Sequence, residues 1–334
     1  MNFVPAILVL IVTTVFAYAG TRVLLPVLRD RAILDHPNER SSHQTPTPRG
    51  GGIAVIAVLV AAWVAIGDYL GAPTATVWAL PAAAILLAAV SFVDDLKSLG
   101  PPVRLAAQAG AVGVILFVMP DHGLFFQGAL PAALDPVLAG ILWVWFINLF
   151  NFMDGIDGIA GVETLGIGIG IAVVIFMAGN ADSQVLAFHG IAAAGVALGF
   201  LKMNWSPARI FMGDVGSVPL GFLLGWLLLM LAASGQWAAA LILPSYYLSD
   251  ATVTLCRRAF RGEKIWRPHR LHFYQLAVQR GLDHGAVSLQ VLSVNGALII
   301  LAALAVSGQQ VLALAAAAVV NVAFLFRLAR GAGQ

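Results

Sequence analysis

The chain contains a single cysteine, Cys256, and few charged residues of either sign. One cysteine excludes an intrachain disulfide and any metal site built from several cysteines. Charged residues make up only 10% of the 334 residues, whereas hydrophobic residues make up 60%. A water-soluble fold of this size does not normally have such a composition. The sequence therefore indicates a protein that crosses a membrane several times, with no nucleic-acid partner.

Apolar stretches long enough to span a bilayer, about 17 to 25 residues each, recur along the whole chain. No long polar stretch could form a separate soluble domain, and no fixed-period repeat is present. We therefore predict an all-α, polytopic membrane protein with one domain over 1–334. The eleven predicted spans are 3–25, 50–67, 76–93, 103–119, 137–152, 159–178, 185–201, 215–233, 238–255, 285–306 and 310–326.

The basic residues lie in alternate loops between these spans. All 18 Lys and Arg residues follow spans 1, 3, 7, 9 or 11, and the loops near 68–75, 120–136, 179–184, 234–237 and 307–309 have none. Because Lys and Arg collect on the cytoplasmic side of membrane proteins, we predict a periplasmic N-terminus and a cytoplasmic C-terminus. The first apolar segment ends in "AYA" (17–19), which resembles a signal-peptide cleavage site. Because the basic residues follow this segment and none precedes it, the charge pattern favours a membrane anchor over a cleaved signal peptide.

Five aspartates lie at the predicted inner ends of helices, in three loops that are distant in sequence: Asp94 and Asp95, Asp154 and Asp157, and Asp214. Any one of these groups alone is typical of a solvated helix cap or a turn. Together, repelling carboxylates converge only where a positive group holds them, and their oxygens suit a hard cation such as Mg²⁺. Asp250, near the inner end of span 9, is predicted to have either a structural or a functional role.

The spacing within the second acidic segment is also informative. Asn148, Asn151 and Asp154 recur every three residues, so a continuous helix would place them on one face. Gly155 and Gly158 are suited to break the helix there. Such a break would turn Asp157 back toward the site and expose backbone amides at the start of the next helix, where a phosphate can bind.

Three motifs resemble the polyprenyl-phosphate N-acetylhexosamine-1-phosphate transferase superfamily: "DDLKSL" (94–99), "NLFNFMDGIDGIAG" (148–161) and "NWSPARIFMGDVGS" (204–217). Two further segments, "HPNERSSHQTPTPRGGG" (36–52) and "RPHRLHFYQ" (267–275), resemble the bacterial branch that begins O-antigen and related glycans. The resemblance implies transfer of a sugar 1-phosphate from a UDP-N-acetylhexosamine to undecaprenyl phosphate, with release of UMP. It implies an enzyme of the bacterial inner membrane, with its active site facing the cytoplasm and completed by loops 29–49 and 256–284.

The resemblance also implies residue roles. Asp214 is similar to the family's Mg²⁺ ligand, with Asn151 as a second ligand and Mn²⁺ as a substitute ion. Phe211 resembles a residue that packs on uracil, although simple interface packing is an alternative. The implied catalytic residues are Asp94, Asp95, Lys97, Asp154 and Asp157. The other implied substrate-binding residues are Arg49, Asn148, Asn151, Arg267, His269, Arg270 and His272.

Two other functions are weighed against this one. The sister branch that makes peptidoglycan lipid I, the phospho-N-acetylmuramoyl-pentapeptide transferases, usually carries a run of histidines where this chain has "PHRLHF". A cation-coupled transporter would place its acidic residues near the bilayer midplane, whereas here they lie at one face. The expected partners are therefore a UDP-N-acetylhexosamine, undecaprenyl phosphate, membrane lipids and a second copy in a homodimer. UDP-N-acetylglucosamine and 6-deoxy sugars such as N-acetylfucosamine or N-acetylquinovosamine remain open as donors.

Overall fold

The structure, a computed structural model, describes residues 3–37, 45–119, 123–180, 183–264 and 269–330. Arg267, a predicted substrate-binding residue, lies outside these ranges. The described chain is almost entirely helical, and its α-helices in order are α1 (Val4–Asp30), α2 (Gly52–Tyr69), α3 (Leu80–Lys97), α4 (Pro101–Val118), α5 (Asp135–Met153), α6 (Ile159–Ala178), α7 (Gln184–Asn204), α8 (Asp214–Leu231), α9 (Trp237–Ile242), α10 (Ser245–Phe260), α11 (Phe273–Gln279), α12 (His284–Val306) and α13 (Gln310–Arg330).

Ten helical segments of the described chain are long and apolar enough to cross a membrane. The prediction of an all-α, polytopic membrane protein is therefore confirmed. The ninth predicted span, 238–255, is not one helix, because α9 ends at Ile242 and α10 begins at Ser245. Pro244 lies at this break, where it has no N–H to donate and its ring would clash with the preceding turn. Gly235, with a φ of 90°, separates α8 from α9 inside the predicted loop 234–237.

The centre of the bundle is formed by α6, α7 and α8, which are the most buried of the spanning helices. Helices α1 and α2 pack on α7, α3 and α5 pack on α8, and α12 packs on α6. Polar side chains join neighbouring helices inside this apolar interior: Glu163 of α6 accepts a 3.0 Å hydrogen bond from Asn295 of α12. Hydrogen bonds of this kind join membrane helices through their polar side chains.

Glycines allow the closest helix pair, α6 and α7, to approach each other. A Cβ atom added to Gly168 would lie 2.4 Å from the carbonyl oxygen of Gly190, and one added to Gly190 would lie 2.6 Å from the carbonyl oxygen of Gly168. Small residues at a membrane helix interface permit this backbone contact.

We expect Gly168→Val to separate α6 from α7, at a cost of about 1–3 kcal/mol or more for overpacking. The apparent melting temperature in detergent should fall by several degrees. Gly296→Val is the matched control, because a Cβ atom at Gly296 of α12 meets no atom within 4 Å. Equal shifts in the two variants would contradict the inferred role of the α6–α7 contact.

Candidate active site

A small β-hairpin brings the segment before α2 to the start of α8. Strands β1 (Leu34–Asp35) and β2 (Thr47–Pro48) pair antiparallel, and Arg49 N donates to the carbonyl of Ile33. Beyond the hairpin, Arg49 forms a parallel bridge with Phe211, whose amide donates to the carbonyl of Pro48 over 2.8 Å. Arg49 and Phe211, predicted from separate motifs, are therefore neighbours through their backbones.

Two glycines allow the first turn of α2 to lie directly against the first turn of α8. A Cβ atom on Gly52 would lie 2.2 Å from Cα of Gly216, and one on Gly216 would lie 2.6 Å from Cα of Gly52. In addition, Gly52 N donates to the carbonyl of Met212 over 2.9 Å. This contact fixes the position of Arg49 relative to Asp214, the first residue of α8.

Arg49 joins two of the predicted carboxylates. Its Nη2 atom lies 2.6 Å from Asp95 Oδ1 and 3.1 Å from Asp214 Oδ1. Burial alone would lower the pKa of Arg49, but the carboxylates of Asp214, Asp95 and Asp35 raise it above its ordinary value. Arg49 therefore stays charged, and it neutralises part of the repulsion between Asp95 and Asp214.

Asp95 also closes the N-terminus of α8. Its Oδ2 atom accepts a 3.2 Å hydrogen bond from Val215 N, and its Oδ1 atom lies 3.4 Å from Asp214 N. The first amides of a helix have no partner within the helix, and the partial positive charge there favours a carboxylate. Asp95 therefore ties the end of α3 to the start of α8.

A second cation, Arg104 of α4, contacts Asp94 and Asp214. Its Nη1 atom lies 3.1 Å from Asp94 Oδ2 and 3.8 Å from Asp214 Oδ2. Asp94 Oδ1 accepts a 2.6 Å hydrogen bond from Leu99 N, so both oxygens of Asp94 are engaged. Lys97, the predicted catalytic cation of this segment, is exposed, and Arg104 is the cation that pairs with Asp94.

The two predicted asparagines of α5 lie one turn apart beside this group. Asn151 Nδ2 donates to Asp214 Oδ1 over 3.1 Å and to Ser217 Oγ over 2.8 Å. Asn148 Nδ2 donates to Gln108 Oε1 of α4 over 2.6 Å. Asp154, the third residue of the predicted face, is the C-cap residue that follows the end of α5 at Met153. It lies close enough to Asp214 and Asp95 for their charges to raise its pKa.

Asp157 has different partners. Its Oδ2 atom accepts a hydrogen bond from Ala208 N over 3.1 Å, and its Oδ1 atom lies 3.3 Å from Nδ1 of His284. Burial alone would raise the pKa of Asp157, but the hydrogen bonds from His284 and Ala208 lower it below its ordinary value. Asp157 thus holds the 206–208 segment and the start of α12 in place.

The turn before α6 is held by a contact within the protein. Gly158, with a φ of 80°, breaks the chain before α6, as the sequence predicts. Its N–H donates to Asn204 Oδ1 over 3.0 Å. The Gly158 amide is therefore engaged, and the phosphate site expected at this helix start stays a prediction.

Asp250 of α10 organises the segment that carries His269, Arg270 and His272. This fully buried carboxylate accepts hydrogen bonds from Phe273 N over 2.9 Å and from Tyr274 N over 3.2 Å, at the start of α11. The buried His272 ring lies against it, with Nδ1 3.3 Å from Asp250 Oδ1. Of the two roles left open for Asp250, the structure supports the structural one.

The remaining predicted residues of this segment are less buried than His272. His269 and Arg270 are half-buried, and the ring of His269 lies 4.8 Å from that of His272. Burial, together with the nearby charges of His272 and Arg258, lowers the pKa of His269 to about 4. His269 is therefore neutral at pH 7, and Arg270 carries the positive charge of this pair.

Tyr274 connects this segment to the turn after α5. Its hydroxyl donates to the carbonyl of Phe152 over 3.1 Å, and it lies so near Gly155 that a Cβ atom there would meet it at 2.2 Å. The 269–275 segment and the Asp154 turn are therefore held in one arrangement. Spacing in the sequence does not predict this contact, because Tyr274 and Phe152 are distant along the chain.

The carboxylates of Asp95 and Asp214 suit a divalent cation that also binds a ligand from outside the protein. Among the described residues, no three His, Cys, Asp or Glu side chains are grouped closely enough to hold a metal. Mg²⁺ usually binds one or two carboxylates and completes its shell with water and substrate phosphates. Asp214 and Asp95, whose Oδ1 atoms converge on the Arg49 guanidinium, provide such a partial set, with the Asn151 amide beside them.

The pKa of Asp154 leads to a testable pH dependence. Removal from water, together with the negative charges of Asp214 and Asp95, raises this pKa to about 7, although Arg49 lowers it in part. An unfolded Asp titrates near about 3.9. The stability that Asp154 contributes is therefore complete below about pH 4 and is lost as the pH rises through about 7.

In buffer without divalent cations, we expect the apparent melting temperature of the wild type to fall between pH 5 and pH 8. Asp154→Asn should fall less, because its side chain cannot ionise. Asp68→Asn, which changes an exposed aspartate at the end of α2, should keep the wild-type slope. Parallel curves for all three proteins would show that Asp154 is not the group that titrates.

Comparison with known proteins places this arrangement in a family. The model of glycosyl transferase family 4 matches residues 77–232, which include Asp94, Asp95, Asn151 and Asp214. The decaprenyl-phosphate N-acetylglucosaminephosphotransferase of Mycobacterium leprae is 30% identical over 80% of this chain and 76% of its own length. The undecaprenyl-phosphate alpha-N-acetylglucosaminyl 1-phosphate transferase of Escherichia coli K12 is 28% identical, over 80% and 74%.

A relative from the peptidoglycan branch matches a shorter part of the chain. The phospho-N-acetylmuramoyl-pentapeptide-transferase of Lacticaseibacillus paracasei is 30% identical over 68% of this chain and 75% of its own length. Together with the family model, these relatives establish that the chain belongs to glycosyl transferase family 4, the polyprenyl-phosphate N-acetylhexosamine-1-phosphate transferase superfamily.

Proposed function

We propose that the protein transfers an N-acetylhexosamine 1-phosphate from a UDP-sugar to undecaprenyl phosphate and releases UMP. The observation that carries this proposal is the group formed by Arg49, Arg104, Asp94, Asp95 and Asp214, where α3, α4, α8 and the segment before α2 meet at one end of the bundle. The family model matches residues 77–232, which include Asp94, Asp95, Arg104 and Asp214, and two relatives named for N-acetylglucosamine-phosphate transfer each match 80% of the chain. The reaction is the first membrane step of O-antigen or related cell-envelope glycan synthesis.

The site faces the cytoplasm of a bacterial inner membrane in this proposal. The residues of the group lie in or next to the loops that carry all the Lys and Arg residues, and such loops are typically cytoplasmic. A UDP-sugar is soluble in the cytoplasm, whereas the acceptor is anchored in the bilayer. A site at the end of the spanning helices is accessible to both.

Two anions must meet for the reaction to occur, so neutralising charge is the main task of the site. Arg49 and Arg104 lie on either side of Asp214, and each can exchange part of its carboxylate contact for a phosphate oxygen. The exposed Lys97 and the half-buried Arg270 add positive charge for the donor pyrophosphate. Guanidinium groups suit this role because they bind phosphate through two parallel hydrogen bonds.

A divalent ion, Mg²⁺ or Mn²⁺, would be held by Asp214 with Asp95 and Asn151 beside it. When bound, it would neutralise charge that develops on the departing UMP. The protein's own residues keep these groups in position: Asn151 donates to Asp214 and Ser217, and Asp95 receives the first amides of α8.

Asp94 acts as a positioning residue in this mechanism. The second pKa of a phosphate monoester is about 6, so the acceptor is mostly ionised at neutral pH and needs no base. Both oxygens of Asp94 are already engaged, by Leu99 N and by Arg104. Asp94 therefore orients Arg104 toward the acceptor, rather than removing a proton from it.

The donor is proposed as UDP-N-acetylglucosamine or a 6-deoxy relative, UDP-N-acetylfucosamine or UDP-N-acetylquinovosamine. Two of the relatives are named for N-acetylglucosamine, and each matches about 80% of this chain. A panel of these donors and UDP-N-acetylmuramoyl-pentapeptide, assayed for UMP release, tests the choice. Turnover of the pentapeptide donor alone would assign the protein to peptidoglycan synthesis. A homodimer is proposed as the assembled form.

The main test is the dependence of UMP release on Asp214. Asp214→Ala removes the carboxylate that contacts Arg49, Arg104 and Asn151, so we expect kcat to fall at least about 100-fold. Arg49→Ala should show a similar loss, whereas Arg327→Ala at the end of α13 should not. The assay uses purified protein, Mg²⁺, UDP-N-acetylglucosamine and a polyprenyl phosphate. Normal turnover by Asp214→Ala would refute the proposed function.

The role of Asp94 is tested by comparing Asp94→Asn with the wild type at pH 6 and pH 8.5. If Asp94 positions Arg104, the loss of kcat should be similar at both pH values, because the amide still cannot replace the carboxylate–guanidinium pair. If Asp94 were a base, high pH would ionise the acceptor and restore most of the activity. Asp68→Asn again provides the control for a remote carboxylate.

A further inference from the structure

A cavity of about 190 Å³ lies between α3, α4, α5 and α8, directly beneath the carboxylates of Asp94 and Asp214 and the guanidinium of Arg104. Its residues form layers one helical turn apart, which is about 5 Å. Asp94, Arg104, Asn151 and Asp214 line its mouth, and Ser91, Gln108 and Asn148 lie one turn deeper.

The walls of the cavity are apolar, and one flank reaches the surface that faces lipid. Leu87 and Val218 are buried in its wall, whereas Leu105 of α4 is 52% exposed and Phe152 of α5 is 39% exposed. The cavity therefore combines a charged mouth, apolar walls and an opening between α4 and α5. This combination fits a phosphate monoester that carries an apolar chain.

The deeper polar layer contains one hydrogen-bond donor, the side-chain amide of Gln108, that has no acceptor among the described residues. Asn148 Nδ2 donates to Gln108 Oε1 over 2.6 Å and to the carbonyl of Val144 over 2.8 Å, so both of its hydrogens are engaged. Gln108 is 4% exposed and lines the cavity. Among the described residues, nothing accepts a hydrogen bond from its Nε2 group.

The Gln108 amide therefore opens onto the cavity, where a ligand or water completes its hydrogen bonds. We propose that Gln108 binds the phosphate of the lipid acceptor from the membrane side, with Asn148 holding the Gln108 amide in the required orientation. This inference rests on the proposed function, and it assigns the acceptor subsite to the cavity beneath Arg104. The phosphate then lies between Gln108 and Arg104, and the first isoprenoid units lie along Leu105 and Phe152.

A neutral amide suits this position better than a second cation. It supplies two hydrogen bonds to a phosphate but adds no charge one turn inside the membrane, where an ionised group is costly. The acceptor phosphate can therefore enter from the bilayer past Gln108, which it contacts through hydrogen bonds alone, before it reaches Arg104.

The test uses two substitutions that differ in what they keep. Gln108→Leu removes every hydrogen bond of this side chain and keeps a similar side-chain volume. Gln108→Glu keeps the oxygen that Asn148 binds, but it places a negative charge against the phosphate. The matched control is Gln184→Leu, which changes an exposed glutamine at the start of α7. KM for farnesyl phosphate and KM for UDP-N-acetylglucosamine are measured separately, and binding of farnesyl phosphate is measured without donor.

We expect Gln108→Leu to raise KM and Kd for farnesyl phosphate about tenfold, the effect of losing one hydrogen bond to a charged group. Gln108→Glu should raise them further, and the donor KM should change less than about twofold in both variants. If Gln108 served only to hold Asn148, Gln108→Glu would behave as the wild type. That result, or an equal rise in the donor KM, would overturn the proposal.

Two further measurements separate the possible failures. Inorganic phosphate should compete with farnesyl phosphate far more weakly than decyl phosphate does, and equal competition would rule out the apolar part of the subsite. If the wild type released no UMP from any donor, the proposed function would fail, but the binding measurement would still report on Gln108. If turnover were normal and Gln108→Leu bound farnesyl phosphate as the wild type does, only the subsite would be rejected.

Discussion

The carboxylate of Asp214 is the point on which the arrangement of the site depends. It begins α8, and it contacts a cation from the segment before α2, a cation from α4 and an amide from α5. Asp95 binds the same helix terminus from α3. Four parts of the chain thus converge on one helix end, where unpaired amides and the helix dipole stabilise negative charge. The three carboxylates can lie close together because Arg49 neutralises the repulsion between Asp95 and Asp214, and Arg104 that between Asp94 and Asp214.

This arrangement also explains why the apolar bundle can carry so many charges at one end. A carboxylate held between a guanidinium and backbone amides keeps most of the stabilisation that water would give it. Each contact is shared: Arg49 serves Asp95 and Asp214, and Arg104 serves Asp94 and Asp214. In the proposed function, substrate phosphates replace these shared partners one at a time, so no charge of the site is left unpaired during binding.

The sequence predicted the membrane spans well, because hydrophobic length and the position of basic residues are properties of short segments. It also identified Asp95, Asn151 and Asp214, since polar residues stand out between apolar spans. It missed Arg104 as a partner of Asp94, because only the packing of α4 on α3 brings the two side chains together. It missed Tyr274 and Gln108 for the same reason: their partners, Phe152 and Asn148, are distant in sequence. The roles predicted for the site residues remain predictions, and Arg267 lies outside the described residues.

Asp250 is the buried charge that holds the second half of the site in place. Helix α10, which begins after the break at Pro244, keeps Asp250 fully buried beneath the start of α11. Asp250 fixes α11, and Tyr274 of α11 contacts the turn that follows Asn151. The segment with His269 and Arg270 is thereby held at a set distance from the Asp214 group. In the proposed function, Asp250 therefore positions Arg270 for the donor without itself contacting the substrate.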